Sequence, residues 1–246
     1  MRLPFLSIVI PTYNERRRIV GTLTEVADYL ATQAYSWEVV VADDGSTDGT
    51  ADLVREFRED HPGVRLLPLS HGGKGWAVRH GILDAEGEFR FTCDADLSMP
   101  IAQISRFLPP DRSGFDVAIA SREVPGARRI GEPGSRHLMG RIYNLAVRAL
   151  VLPGLADTQC GFKCYRGQVA EEVFSLQRFD GFSFDVEVLY IARRRGMVVV
   201  EVPIDWYYRS HSKVRPVRDS LAMTRDLLRM RWYRLSGRYD RSRPSR

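Results

Sequence analysis

Short apolar runs alternate with helical patterns along the first half of the chain. LSIVI (6–10) is continuous and rich in β-branched residues, and PTYNE follows it, so a buried strand ending in a turn is predicted. In RRRIVGTLTEVADYLATQ, residues Ile19, Leu23, Val26, Ala27 and Leu30 recur at helical spacing and share one face. The pattern continues with a strand over 37–42, a helix over 50–60, a strand over 64–70 and a helix over WAVRHGILDA (76–85). EFRFTCDAD (88–96) reads as a fourth strand, 100–108 as a helix and FDVAIASR (115–122) as a strand. Strands alternating with helices through short links predict an α/β fold, with a mostly parallel sheet covered by helices on both faces.

Beyond residue 122 the alternation weakens. Residues 123–135 are loop-like, 136–152 and 184–195 helical, and MVVVEVPIDWYY (197–208) strand-like. DTQCGFKCYRG reads as a polar turn between short apolar pieces. A helix is expected over 217–235. No repeat or linker interrupts the chain, so one domain over 1–216 is expected, followed over 217–246 by a basic amphipathic helix and flexible tail. In that helix Val217, Leu221, Leu228, Trp232 and Leu235 share a face, with Arg218, Arg225 and Arg229 outside it. Such a face suits an anionic membrane surface; packing on the domain is the plainer alternative.

Composition narrows the class. The 246 residues are 44% hydrophobic and 27% charged, as in ordinary globular proteins, which excludes collagenous, disordered and disulfide-scaffold chains. Cys93, Cys160 and Cys164 are an odd set without metal-like spacing, so reduced thiols in a cytosolic compartment are expected. The apolar N-terminal stretch stops at Pro11, and no run of 18 apolar residues follows. A cytoplasmic protein is expected, with any membrane contact made peripherally from the cytoplasmic face. The net charge of +5, with arginine dense over 122–148 and 193–246, favours phosphates, lipid headgroups or nucleic acid.

The polar clusters TYNE, DDGSTD, HGGKG, DAD and SRE all fall at carboxyl ends of predicted strands, where open α/β sheets bind ligands. Five clusters at one sheet end point to one site. Asp94 and Asp96 project to the same side if the strand persists through them. Their hard oxygens suit Mg²⁺ or Mn²⁺ with phosphate oxygens completing the shell, although Asp96 or Ser98 could instead cap the helix opening near Pro100. Asp43 and Asp44 either receive nucleobase or ribose donors or simply form a turn, with Thr47 or Asp48 capping the next helix. Lys74 lies in a glycine loop before a helix, which favours phosphate. The spacing is neither that of a P-loop nor that of a dinucleotide fingerprint.

SIVIPTYNE, VVVADDGSTDGT, GGKGWAVRHG, CDADLSMP, SR, DTQCGFK and VPIDWYYRSHSKV together resemble glycosyltransferase family 2. The resemblance is closest to its dolichyl-phosphate β-glucosyltransferase and polyprenyl-phosphate hexosyltransferase branch and covers about residues 5–220. It implies a GT-A fold, a Rossmann-like sheet that binds a nucleotide-diphosphate sugar. By that resemblance Pro11, Tyr13, Glu15 and Asp44 hold the nucleoside, and Asp94 and Asp96 ligate the Mg²⁺ or Mn²⁺, Asp94 facing the nucleoside side and Asp96 carrying the ion. Arg122 and Arg136 bind the acceptor phosphate. Asp157, Gln159 and Lys163 line the sugar and acceptor side, and Arg209, Ser212 and Lys213 close over the phosphates.

The implied activity is inverting transfer of a hexose to a polyprenyl or dolichyl phosphate, with UDP-glucose favoured as donor over GDP-mannose. Asp96, Asp157 and Arg122 are the expected catalytic residues. A phosphomonoester acceptor is largely a dianion at pH 7 and needs no base; Asp157 is the expected base should the acceptor be an alcohol. A family 2 transferase with a soluble or glycan acceptor is one alternative. A basic nucleic-acid-binding protein is another, but it leaves the acidic clusters unexplained and shows no nucleic-acid motif, so nucleic acid is not an expected partner.

Overall fold

The strand foreseen at LSIVI runs on through Pro11 to form β1 (Leu6–Thr12). A computed structural model describes residues 3–209 and 216–240; the side chains of 135–136 and 216–221 lie outside that description. After β1 come α1 (Ile19–Ala31), β2 (Trp37–Asp43), α2 (Thr50–Asp60), β3 (Val64–Pro68), α3 (Lys74–Asp84) and β4 (Phe89–Thr92). The later half contains a 3₁₀ helix at Ile101–Phe107, β5 (Val117–Ser121), β6 (Arg128–Ile130), α4 (Gly134–Leu150) and β7 (Lys163–Arg166). It ends with α5 (Gly167–Leu176), α6 (Phe184–Arg194), β8 (Val199–Pro203), β9 (Asp205–Tyr207), α7 (Pro216–Leu235) and a 3₁₀ turn at Arg238–Asp240.

Among the described residues, seven strands form one sheet in the order β3-β2-β1-β4-β7-β5-β8. β1 to β4 are mutually parallel, β7 runs antiparallel between β4 and β5, and β8 is parallel to β5. The two-residue alternation of each strand sorts side chains onto two faces. Val9, Val40, Ala42 and Ile119 face α3, α5, α6 and the buried side of α7. Ile8, Ile10, Val41 and Phe91 face α1, α2 and the 3₁₀ helix. Each fully buried large apolar side chain contributes about 1.5–3 kcal/mol, so both faces are needed to hold the layers together.

Three departures from the sequence reading bear on function. The fourth strand stops at Thr92, because Asp94 to Leu97 form a turn closed by the Leu97 N–H on the Asp94 carbonyl at 3.1 Å. The pattern at 197–208 is two strands. The chain leaves the main sheet at Ile204, whose N–H reaches Ser121 O at 3.3 Å, and β9 then pairs with β6. KCYR, read as part of a turn, is the central antiparallel strand β7, and α5 follows it directly.

The chain order β1-β2-β3 runs outward on one side of β1, while β4 lies on the other side. A crevice therefore opens at the carboxyl ends of β1 and β4, where α/β sheets place ligands. α7 buries Met223, Leu227, Met230 and Tyr233 in the core shared with α3 and α6, and exposes Leu228, Trp232 and Leu235. Among the described residues no helix is long and apolar enough to cross a membrane.

Candidate active site

A cleft of about 1000 Å³ opens at this strand reversal. Its first wall comes from the ends of β1 and β2. Asp44 follows β2, and its carboxylate accepts the N–H groups of Gly72 at 2.7 Å and Gly73 at 2.9 Å. His71 Nδ1 lies 2.8 Å from the same carboxylate, and the His71 ring stacks on Tyr13 with centroids 4.3 Å apart. Gly73 sits at φ +109°, and a Cβ there would press on Asp180 O, so only glycine lets the loop reach Asp44. Pro11, Thr12, Tyr13, Glu15 and Asp44 all line the cleft. Glu15 is paired with Arg18 at 2.8 Å. Asp43 instead accepts from the Thr12 hydroxyl on β1 at 3.1 Å and, within its own loop, from the Ser46 hydroxyl at 2.5 Å.

The floor is the turn after β4. Asp94 and Asp96 are half-buried and both line the cleft. Asp96 Oδ1 accepts the Ser98 N–H at 2.9 Å, a bond inside the turn; the 3₁₀ helix that follows starts after Pro100 with no side-chain cap, so neither Asp96 nor Ser98 caps it. Burial first and the Asp94 charge second push the Asp96 carboxyl up from its usual range. Lys74 Nζ lies 2.7 Å from Asp94 Oδ1. Burial works to lower the Lys74 pKa, but Asp94, Asp185 and Asp96 outweigh it and hold the ammonium firmly charged. Gly161 of DTQCGFK packs directly on Asp94, where any Cβ would collide with the carboxylate.

The far wall comes from the second half of the chain. Arg122 follows β5 and forks onto Asp157, with Nε 2.6 Å from Oδ2 and Nη2 3.0 Å from Oδ1. Burial alone raises the Asp157 pKa, but Arg122 overrides it and draws the carboxyl down to about 2. Arg122 also lies 5.3 Å from the Trp206 ring centroid, with Arg129 6.0 Å from the same ring. Arg129 bridges Glu123 at 2.6 Å and Glu132 at 2.5 Å. At the rim, α4 turns Leu138, Met139, Ile142 and Leu145 outward; all four are exposed and border the cleft.

Of the residues foreseen, Pro11, Tyr13, Glu15, Asp44, Lys74, Asp94, Asp96, Arg122, Asp157, Gln159 and Arg209 line this one cleft. Lys163 does not. It is 1% exposed, and its ammonium is spent on Asp185 Oδ1 and Cys160 O, each at 2.5 Å. A buried ammonium demands such partners, and it is Asp185 that reaches the cleft. Asp43 likewise stays outside the lining. The Arg136 side chain and all of Ser212 and Lys213 lie outside the described residues. His71, Arg129, Asp185 and Trp206 also line the cleft and were missed. Asp185 carries the one available signal, an acidic residue in the first turn of a helix.

A family model described as Glycosyl transferase family 2 matches residues 7–174. The Homo sapiens dolichyl-phosphate beta-glucosyltransferase is 32% identical over 247 residues, covering 94% of this chain and 76% of that protein. Its Saccharomyces cerevisiae counterpart is 32% identical over 255 residues, covering 96% and 76%. Among solved structures, glucosyl-3-phosphoglycerate synthase from Mycobacterium tuberculosis, in complex with Mn²⁺, uridine-diphosphate and glucosyl-3-phosphoglycerate, superposes with a TM-score of 0.63. That match is 20% identical and covers 94% of this chain and 80% of the other, so it speaks for the fold.

Proposed function

The chain belongs to glycosyl transferase family 2, and from that premise we propose that it transfers glucose from UDP-glucose to a polyprenyl phosphate such as dolichyl phosphate, with inversion at the anomeric carbon. The relatives named above are dolichyl-phosphate beta-glucosyltransferases. The observation that carries the lipid acceptor is the α4 face, where Leu138, Met139, Ile142 and Leu145 stay in solvent at the rim of the cleft. A sugar or other soluble acceptor gives no reason for such an apolar approach.

In this reading Tyr13, His71 and Asp44 hold the nucleoside, with Asp44 kept rigid by two backbone N–H groups. Lys74 meets the diphosphate. A divalent ion fits the turn: Asp94 and Asp96 offer hard oxygens two residues apart, and the like charge that raises Asp96 is the charge a cation would balance. Among the described residues no group of three or more metal-ligating side chains exists, so phosphate oxygens and water would supply the other ligands. When bound, Mg²⁺ or Mn²⁺ supplies charge stabilisation for the leaving diphosphate. Lys74 adds a fixed positive charge where negative charge develops.

On the acceptor side Arg122 meets the phosphate, its plane fixed by Asp157. Asp157, drawn down to about 2 and forked by a guanidinium, is a poor proton acceptor at neutral pH. A phosphomonoester needs none, since its second pKa is about 6. The protein meets the membrane peripherally, through the outward faces of α4 and α7.

Incubation with UDP-glucose, Mn²⁺ and either polyprenyl phosphate or 3-phosphoglycerate tests this. Glucose recovered in the lipid phase supports the reading. Glucose on the soluble acceptor alone overturns it.

A further inference from the structure

We propose that Glu201 is a positioning residue for the acceptor side of the cleft, acting through Asp157 on Arg122. Glu201 lies on β8 opposite Ile119 of β5. It does not itself line the cleft. Its carboxylate reaches sideways to the loop between α4 and β7 and grips two consecutive backbone groups. Oε2 accepts the Ala156 N–H at 2.8 Å and Oε1 accepts the Asp157 N–H at 3.0 Å.

The next link is the Asp157 side chain, which takes Arg122 by Nε, Nη2 and the backbone N–H at 2.6, 3.0 and 3.1 Å. Arg122 in turn lies against Trp206. A carboxylate on the rigid sheet therefore holds a loop carboxylate, which holds the guanidinium. Each link is charge-assisted and two-pronged, a geometry that fixes orientation as well as distance. The segment 153–162 has no helix or strand of its own, so without Glu201 the Asp157 backbone loses its tie to β8. Glutamine keeps the shape but not the function: it offers one acceptor oxygen and turns an NH₂ donor toward the second N–H.

This inference rests on the proposed contact between Arg122 and the acceptor phosphate, and the test separates the two. Steady-state kinetics with UDP-glucose and polyprenyl phosphate are compared for wild type, Glu201→Gln, Arg122→Lys and the double variant. Glu201→Gln is expected to raise the acceptor KM about tenfold, the scale of one charge-assisted hydrogen bond, and to leave the donor KM unchanged. In the Arg122→Lys background the same substitution should add nothing, because its effect runs through the guanidinium. Arg122→Lys raising the acceptor KM while Glu201→Gln leaves it unchanged overturns the inference and spares the reading of Arg122. Arg122→Lys with no effect on the acceptor KM overturns both. Equal shifts in both KM values, or the same Glu201 effect in both backgrounds, mark a merely structural role and overturn the inference. Should Glu201→Gln not fold, Glu201→Asp carries the test: one methylene shorter, it must lengthen both bonds, and an unchanged acceptor KM overturns the inference.

Discussion

Lys74 Nζ lies 2.7 Å from Asp94 Oδ1, tying the first residue of α3 to the turn that ends β4. The two residues are 20 positions apart in the chain, yet they set the charge at the cleft floor together with Asp96. Lys74→Met should lower kcat/KM about 100-fold, the scale of losing one group that stabilises developing charge. Asp96→Asn should abolish turnover and remove the Mn²⁺ dependence of UDP-glucose binding in calorimetry. Lys74→Met should keep that dependence. Full activity in Asp96→Asn contradicts the metal role.

The Arg122–Asp157 pair is expected to carry stability as well as function. Asp157→Ala leaves a guanidinium without its carboxylate in a mostly buried setting, at a cost of about 3–5 kcal/mol in urea unfolding. The sign with pH follows from the depressed carboxyl. Its contribution is present above the ordinary Asp pKa of about 3.9 and is lost as pH falls toward about 2. Wild type should therefore lose stability across that acid window more steeply than Asp157→Ala. Parallel acid profiles contradict the pairing.

Glu187 on α6 has the opposite sign. Burial pushes its carboxyl up to about 7, against bonds from the Arg178 and Phe179 N–H groups and the Tyr239 hydroxyl. A raised acid favours the folded state most below its ordinary pKa of about 4.3 and loses that advantage as pH rises through 7. Wild type should thus lose stability between about pH 4.3 and about 7 relative to Glu187→Gln in thermal unfolding. A pH-independent difference between the two contradicts this.

Membrane contact is best tested on exposed side chains. Deleting α7 would strip Met223, Leu227, Met230 and Tyr233 from the core, a loss of roughly 6–12 kcal/mol at 1.5–3 per side chain, which rivals the whole stability of a domain. Ile142→Ser with Leu145→Ser on α4, and Trp232→Ser on α7, change only exposed positions. These substitutions should weaken sedimentation with anionic liposomes severalfold and leave the unfolding midpoint in place. Unchanged sedimentation contradicts an interfacial role for either helix.

The sheet and its reactive end were legible because their signals are local. LSIVI, DDGS and DAD each announce a strand or its end within a few residues. β7 was not legible, since a four-residue strand with Lys163, Cys164 and Tyr165 all buried shows no period that separates it from a turn. Pro203 and Ile204 hid a change of sheet inside one continuous apolar pattern. Lys163 shows the same limit for chemistry. Its spacing in DTQCGFK matched the resemblance, but only the fold reveals that Asp185, 22 residues on, consumes its charge. His71, Trp206 and Glu201 reach the site through contacts between distant segments, which no local pattern records.

The most direct measurement is ³¹P and ¹H nuclear magnetic resonance of the product formed from UDP-glucose and polyprenyl phosphate. Inverting transfer to the lipid phosphate predicts that the phosphomonoester signal gives way to a phosphodiester and that the glucose carries a β-anomeric coupling. A persistent phosphomonoester signal while UDP is released, or an α-linked product, would contradict it.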